Sequence, residues 1–178
     1  LLYIFMFKKL KLDELNRVDI ETFKRSNKNS VCVILDEVRS MNNVGSIFRT
    51  CDGFGIDTLY LCGITAQPPH REIHKTALGA EDSVNWHYYS STEELCKQLI
   101  NDGFTLLAVE QVAESTPLGT FQLDPNKKYG IIFGNEVEGV NENVLKYCET
   151  CIEIPQFGTK HSFNVSVCAG IILWELLN

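Results

Sequence analysis

Residues 31–62 open with Val31-Cys32-Val33-Ile34-Leu35-Asp36 and close with Thr58-Leu59-Tyr60-Leu61-Cys62. Between them lies Asn43-Val44-Gly45-Ser46-Ile47-Phe48-Arg49-Thr50. An unbroken apolar run of strand length, without polar alternation, suits a strand covered on both faces. Residues 31–36 and 58–62 are therefore expected to be strands of a parallel sheet. The intervening segment has the spacing of a helix: Asn43 is placed to cap it, Ile47 and Phe48 supply its apolar face, and Gly53 and Gly55 end it near Phe54. Strand, helix and strand in this order make a crossover unit, which a parallel pair requires. The same alternation continues outward, with strands expected at 84–87, 104–109, 130–133 and 151–154. Ser91 with Glu94 gives a capping box for a helix ending near Gly103, and Asn141 can cap another through Val144 and Leu145. The last helix, from about Asn164, is apolar on nearly every side, so it must be buried, and a subunit interface is a natural place for that. The fold class is α/β, a mostly parallel sheet flanked by helices.

The chain has 178 residues, 44% of them apolar, which fits one domain of this class. No apolar stretch approaches the roughly 20 residues of a membrane span. Residues 1–7 are apolar and precede Lys8, the reverse of secretory order. They are expected to form a first strand, ahead of a leader or an artificial start. Of the seven cysteines, Cys32, Cys62 and Cys168 sit inside apolar runs as small hydrophobes, and a cytoplasmic protein is expected. Cys148 and Cys151 form a lone C-x-x-C, with His161 about ten residues on; without a second pair it reads as a strand edge rather than a metal or redox site.

Net charge is −7, but it is unevenly spread. The first 30 residues hold Lys8, Lys9, Lys11, Arg17, Lys24, Arg25 and Lys28 against Asp13, Glu14, Asp19 and Glu21, so the remaining 148 are strongly acidic. Residues 1–29 are read as a basic arm ahead of a domain at 30–178, with Leu15, Val18, Ile20 and Phe23 giving one short helix over 13–24. Such an arm suits phosphate contact, and a solvated amphipathic helix accounts for it equally.

The chain lacks a phosphate loop, a dinucleotide fingerprint, an H-E-x-x-H and a nucleophile elbow. Polar and glycine residues gather instead where strands end: Asn43 and Arg49, then Gly134, Asn135, Glu136 and Gly139, then 158–164. Ligands of open α/β sheets bind beyond the carboxyl ends of strands. Each group also has an ordinary reading. Asn43 is a good cap in any helix, and Arg49 can face solvent. Gly134 either makes a turn or lets a ligand's ring approach the backbone, and Ser162 and Asn164 either cap the last helix or hold a ligand.

Three blocks taken together resemble a known family. They are Asn43 to Thr50, the run Ile132-Phe133-Gly134-Asn135-Glu136-Val137-Glu138-Gly139-Val140, and Ile154-Pro155-Gln156-Phe157-Gly158 continuing to Ser162-Phe163-Asn164-Val165-Ser166-Val167. In this order they are similar to the three signature motifs of the SpoU/TrmH family of the SPOUT superfamily, over about residue 31 to the end. Lys75-Thr76-Ala77-Leu78-Gly79-Ala80 also fits that family's intermediate loop. The resemblance implies a deep C-terminal trefoil knot, a homodimer and an S-adenosylmethionine-dependent methyltransferase acting on a ribose 2′-hydroxyl of RNA. By this carry-over Gly134, Ile154 and Phe163 contact the cofactor, with Ser162 and Asn164 beside them. Asn43, Arg49, Glu136, Ser162 and Asn164 take catalytic motif positions, and no metal is implied. Phe163 stands where the family often has Leu. Transfer RNA is the preferred substrate and ribosomal RNA the second, and Arg17, Lys24 and Arg25 of the arm are the expected RNA contacts. The rival readings are a catalytically inert RNA-binding protein of the same knotted fold, and a methyltransferase acting on a small molecule or a base.

Overall fold

The structure, a computed structural model, describes residues 7–178. Seven strands make one sheet: β1 Asn29–Asp36, β2 Ile56–Cys62, β3 Asn85–Tyr89, β4 Phe104–Val109, β5 Thr116–Pro117, β6 Lys128–Phe133 and β7 Thr150–Glu153. Their order is β3-β2-β1-β6-β4-β7-β5, and every neighbouring pair is parallel. The helices are α1 Ile20–Arg25, α2 Met41–Gly53, α3 Arg71–Ala77, α4 Ala80–Ser83, α5 Thr92–Asn101, α6 Glu142–Leu145 and α7 Val165–Leu177.

Alternation along β1 divides the core in two, because successive side chains of a strand point to opposite faces. Val31, Val33 and Leu35 pack with Ile47 and Phe48 of α2 and with Ile172 and Leu173 of α7. Cys32 and Ile34 pack on the other face with Leu95 and Leu99 of α5 and Val144 of α6. Since both faces are covered, β1 carries no polar alternation. Buried Asp36 ends β1 and ties the layers together: it accepts hydrogen bonds from Thr92 Oγ1 at 2.5 Å and the Asn141 N–H at 2.9 Å.

From β1 the strand order runs one way to β2 and β3 and the other way to β6 and β4. The carboxyl ends of β1 and β6 therefore flank a topological switch point. The order also places β7 between β4 and β5, both of which precede it in the chain. The chain leaving β7 thus runs beside the segment that joins those two strands, and α7 returns to pack on α2. This arrangement is consistent with the knotted path implied by the resemblance.

Several expectations are corrected. Ser40, not Asn43, caps α2, accepting from the Asn43 N–H at 3.3 Å; Asn43 lies in the first turn. The single helix expected over 13–24 is broken: a 3-10 turn at Leu12–Leu15 ends at Asn16 with φ 49, and α1 starts anew from Asp19, whose side chain caps it. Asp19 is the better start because its carboxylate satisfies the free Thr22 N–H. The intermediate loop at 75–80 is not a loop: Lys75 to Ala77 belong to α3, and Leu78 and Gly79 turn the chain into α4. The strand expected over 1–7 lies outside the described residues, apart from Phe7, which is in no strand. Burial pushes the thiols of Cys32, Cys62, Cys148 and Cys168 up to about 12, far from the range of reactive thiolates. No described helix is long and apolar enough to cross a membrane.

Candidate active site

A cavity of about 450 Å³ opens beyond the carboxyl ends of β4, β6 and β7. Val109, Phe133, Ile152, Ile154 and Val165 supply apolar surface, and Glu110, Gln111, Glu136 and Asn164 supply polar groups. Its size falls in the range of about 300–1,000 Å³ usual for small-ligand pockets. Gly134, Ile154, Ser162, Phe163 and Asn164, the residues expected at a cofactor, all line it, as does Glu136.

The turn after β6 explains why two glycines are needed there. Asn135 and Gly139 pair through two backbone hydrogen bonds of 3.1 Å, and Asn135 Oδ1 accepts from the N–H groups of Val137 and Glu138, each at 2.9 Å. Gly139 has φ +70, a conformation that suits glycine. A Cβ on Gly134 would run into the backbone of Gly139 and Val140. The crowding at Gly134 comes from its own loop, so the glycine is first a requirement of the turn and only then a way of admitting a ligand.

One hydrogen-bond network joins the three motif segments. The Glu136 carboxylate accepts from the Arg39 N–H at 3.1 Å, the Ser40 N–H at 3.1 Å and Asn43 Nδ2 at 2.8 Å. Asn43 Oδ1 in turn accepts from Asn164 Nδ2 at 3.1 Å. Asn164 caps α7, accepting from the Ser166 N–H at 3.0 Å and Ser166 Oγ at 2.7 Å. Asn164 thus does both things the sequence left open: it starts the helix and reaches the site. Carboxylate at the start of α2 is favoured by the unpaired N–H groups and the helix dipole there.

Partial burial alone would raise the pKa of Glu136, but the hydrogen bonds from Asn43, Arg39 and Ser40 outweigh it and hold the carboxyl below its ordinary value of 4.5. A folded-state pKa below the unfolded one means that Glu136 contributes stability above about pH 4.5, lost as pH falls through the lower folded value. The melting temperature of the wild type should exceed that of Glu136→Gln at neutral pH, and the gap should close below about pH 4.5. Thermal melts of both proteins across this range check it; a gap that stays constant would show that the carboxylate is not held by its charge.

Arg49 stands apart from the cavity. It is exposed on α2, about 9 Å along the helix axis from Asn43. With Ser46, Thr50, Lys75 and Thr76 it lines a separate open cleft between α2 and α3. The arm residues lie elsewhere again. Arg17, Lys24 and Arg25 are exposed, and Arg25 pairs with Glu21 at 3.3 Å. Lys24 joins Lys28 and Lys128 around a cleft at the amino ends of β1, β4 and β6, the opposite end of the sheet from the cavity. Sequence reasoning missed Glu110 and Gln111, which follow β4 and line the cavity. Their one visible signal was position, directly after the carboxyl end of a strand, where ligands of such sheets bind.

The model of the SpoU rRNA Methylase family matches residues 30–174. A tRNA (guanosine(18)-2′-O)-methyltransferase of Thermus thermophilus is 30% identical over 162 residues, covering 91% of this chain and 81% of that protein. Another, longer relative is matched over only 9% of its length. Among solved structures, the TrmH/SpoU tRNA modifying enzyme of A. aeolicus superposes with a TM-score of 0.77 at 26% identity, over 88% of this chain and 78% of that one. An AdoMet-bound rRNA methyltransferase of Sinorhizobium meliloti also gives 0.77 at 26% identity, over 86% of this chain and 58% of that one. With its three motif segments joined by one network beside a cavity at the carboxyl ends of β4, β6 and β7, and with its sheet shared by these structures, the chain belongs to the SpoU rRNA methylase family.

Proposed function

We propose that this chain transfers a methyl group from S-adenosylmethionine to a ribose 2′-hydroxyl of RNA, with transfer RNA as the preferred substrate. The observation that carries the reading is the Glu136–Asn43–Asn164 network, which links all three motif segments beside the cavity. The names of the Thermus and Aquifex relatives favour transfer RNA, and the AdoMet-bound relative favours the cofactor. The cavity suits that cofactor by volume and by its mixture of apolar wall, backbone and carboxylates. Gly134, Ile154, Ser162, Phe163 and Asn164 would hold it, and when bound it supplies an electrophilic methyl group on a sulfonium.

The chain's own residues do the rest. Glu136 holds the start of α2 through three N–H donors, which fixes Asn43 against Asn164. Arg49 orients the ribose and stabilises the negative charge that develops on its oxygen, since a guanidinium has no lone pair free to act as a base. An RNA phosphate beside Arg49 takes part in proton removal. Transfer of labelled methyl into an unmodified tRNA transcript tests the reading; an inert binder would retain RNA and transfer none.

The working form is a homodimer built on α7. Val167 and Trp174 are 50% and 61% exposed on a helix whose other face is core, and a second copy covers them. Residues 1–29 act as an RNA-binding arm ahead of the domain at 30–178. Neutralising Arg17, Lys24 and Arg25 together should weaken RNA binding and flatten its salt dependence by up to about three counterions. Affinity for S-adenosylmethionine should be unchanged, and residual RNA affinity should come from Arg39, Arg49 and Lys160. Titrations over a range of salt check this, and an unaltered slope would leave the arm a solvated surface.

A further inference from the structure

Glu110 and Gln111 follow β4 directly, and their side chains reach to different walls of the cavity. Glu110 Oε2 accepts the Val140 N–H at 2.8 Å, while Oε1 accepts the Gln111 N–H at 2.9 Å. Gln111 Nε2 donates to the His161 carbonyl at 3.1 Å. Val140 closes the turn after β6, and His161 belongs to the segment between β7 and α7. These two segments face each other across the cavity, and both contribute to its lining. The contact on the first wall is close: a Cβ on Gly139 would strike the Glu110 carboxylate. One dipeptide at the end of β4 therefore grips both walls directly, whereas the Glu136 network reaches the second wall only through Asn43 of α2.

We infer that Glu110 and Gln111 are positioning residues that fix the separation of the two walls and so set the affinity for S-adenosylmethionine. The inference rests on the reading of this cavity as the cofactor site. The side-chain chemistry is specific at each position. Both Glu110 oxygens accept an N–H, so a glutamine there satisfies one donor and turns its own NH₂ toward the other. Gln111 meets a carbonyl, so a glutamate there sets oxygen against oxygen. Each exchange keeps the side chain's size, and the two change the charge in opposite senses, so weaker binding in both reports the lost hydrogen bonds rather than volume or charge.

The test measures S-adenosylmethionine binding by calorimetry, and methyl-transfer kinetics with tRNA, for the wild type, Glu110→Gln and Gln111→Glu. Each variant should bind S-adenosylmethionine about tenfold more weakly. KM for the cofactor should rise by a similar factor, with kcat at saturating cofactor and RNA affinity close to wild type. A merely structural role would instead lower kcat with the folded fraction and leave KM alone. Gln111 is exposed, so Gln111→Glu keeps the fold even where Glu110→Gln does not. Wild-type cofactor affinity in Gln111→Glu, or a loss confined to kcat, overturns the inference. A wild type that binds RNA but no S-adenosylmethionine overturns the cofactor reading itself, and the inference with it.

Discussion

Arg49→Ala should lower the rate of RNA methylation by about 100- to 1,000-fold, the usual cost of losing a donor aimed at a developing oxyanion. Affinity for S-adenosylmethionine should stay at its wild-type value. The separation of these effects follows from the geometry, because Arg49 lines the open cleft with Lys75 and not the cavity with Gly134 and Phe163. Arg49→Lys should not restore the rate. A lysine keeps the charge but loses the planar fork that a phosphate and a ribose oxygen can share. Single-turnover rates at saturating cofactor, with calorimetry in parallel, check both statements. Near wild-type turnover in the lysine variant would reduce Arg49 to a source of field, and lost cofactor affinity in either variant would place it at the wrong site.

Gly134→Ala should be damaging in a different way. The added methyl would meet backbone of Gly139 and Val140, which cannot swing aside as a flexible side chain does. Overpacking of this kind costs about 1–3 kcal/mol or more. At roughly 2–4 °C per kcal/mol for a chain of this size, the melting temperature should fall by up to about 12 °C. The turn carries the Val140 N–H that Glu110 holds, as well as Glu136, so cofactor binding should fall more than tenfold. If Gly134 served only to let a ligand approach the backbone, a side chain there would block binding and leave a folded protein; the crowded turn leads us to expect lost stability as well. Melting curves and calorimetry on Gly134→Ala distinguish the two. A variant with wild-type melting and no cofactor binding would support the simpler steric picture.

The central strands were legible because their burial leaves a direct trace. β1 and β6 are covered on both faces, so they appear as unbroken apolar runs, and β4 was found at its observed limits. Two residues of β5, one of them Pro117, carry no period to detect, and the short α3 and α4 are little better. Missing β5 also hid the insertion of β7 between two earlier strands, a non-local event that periodicity cannot register. At the site, residue types were readable and their partners were not. An asparagine near a helix start serves equally as a cap or as a link, and only the fold shows that Ser40 caps α2 while Asn43 meets Glu136 and Asn164. Glu110 and Gln111 look like any polar turn after a strand until the loops from β6 and β7 are brought to them. In the arm, helical spacing suggested one helix, yet Asp19 offers a local cap that stops the pattern from running through.

The position of the transferred methyl group tests the central claim most directly. Unmodified tRNA transcript, incubated with the protein and S-adenosylmethionine, is digested to nucleosides and analysed by mass spectrometry, and a second portion is hydrolysed in alkali. We expect one 2′-O-methylated nucleoside and a dinucleotide that survives alkali, because cleavage there needs a free 2′-hydroxyl. A methyl group on a base, or no transfer to tRNA or ribosomal RNA by protein that binds the cofactor, would contradict the account.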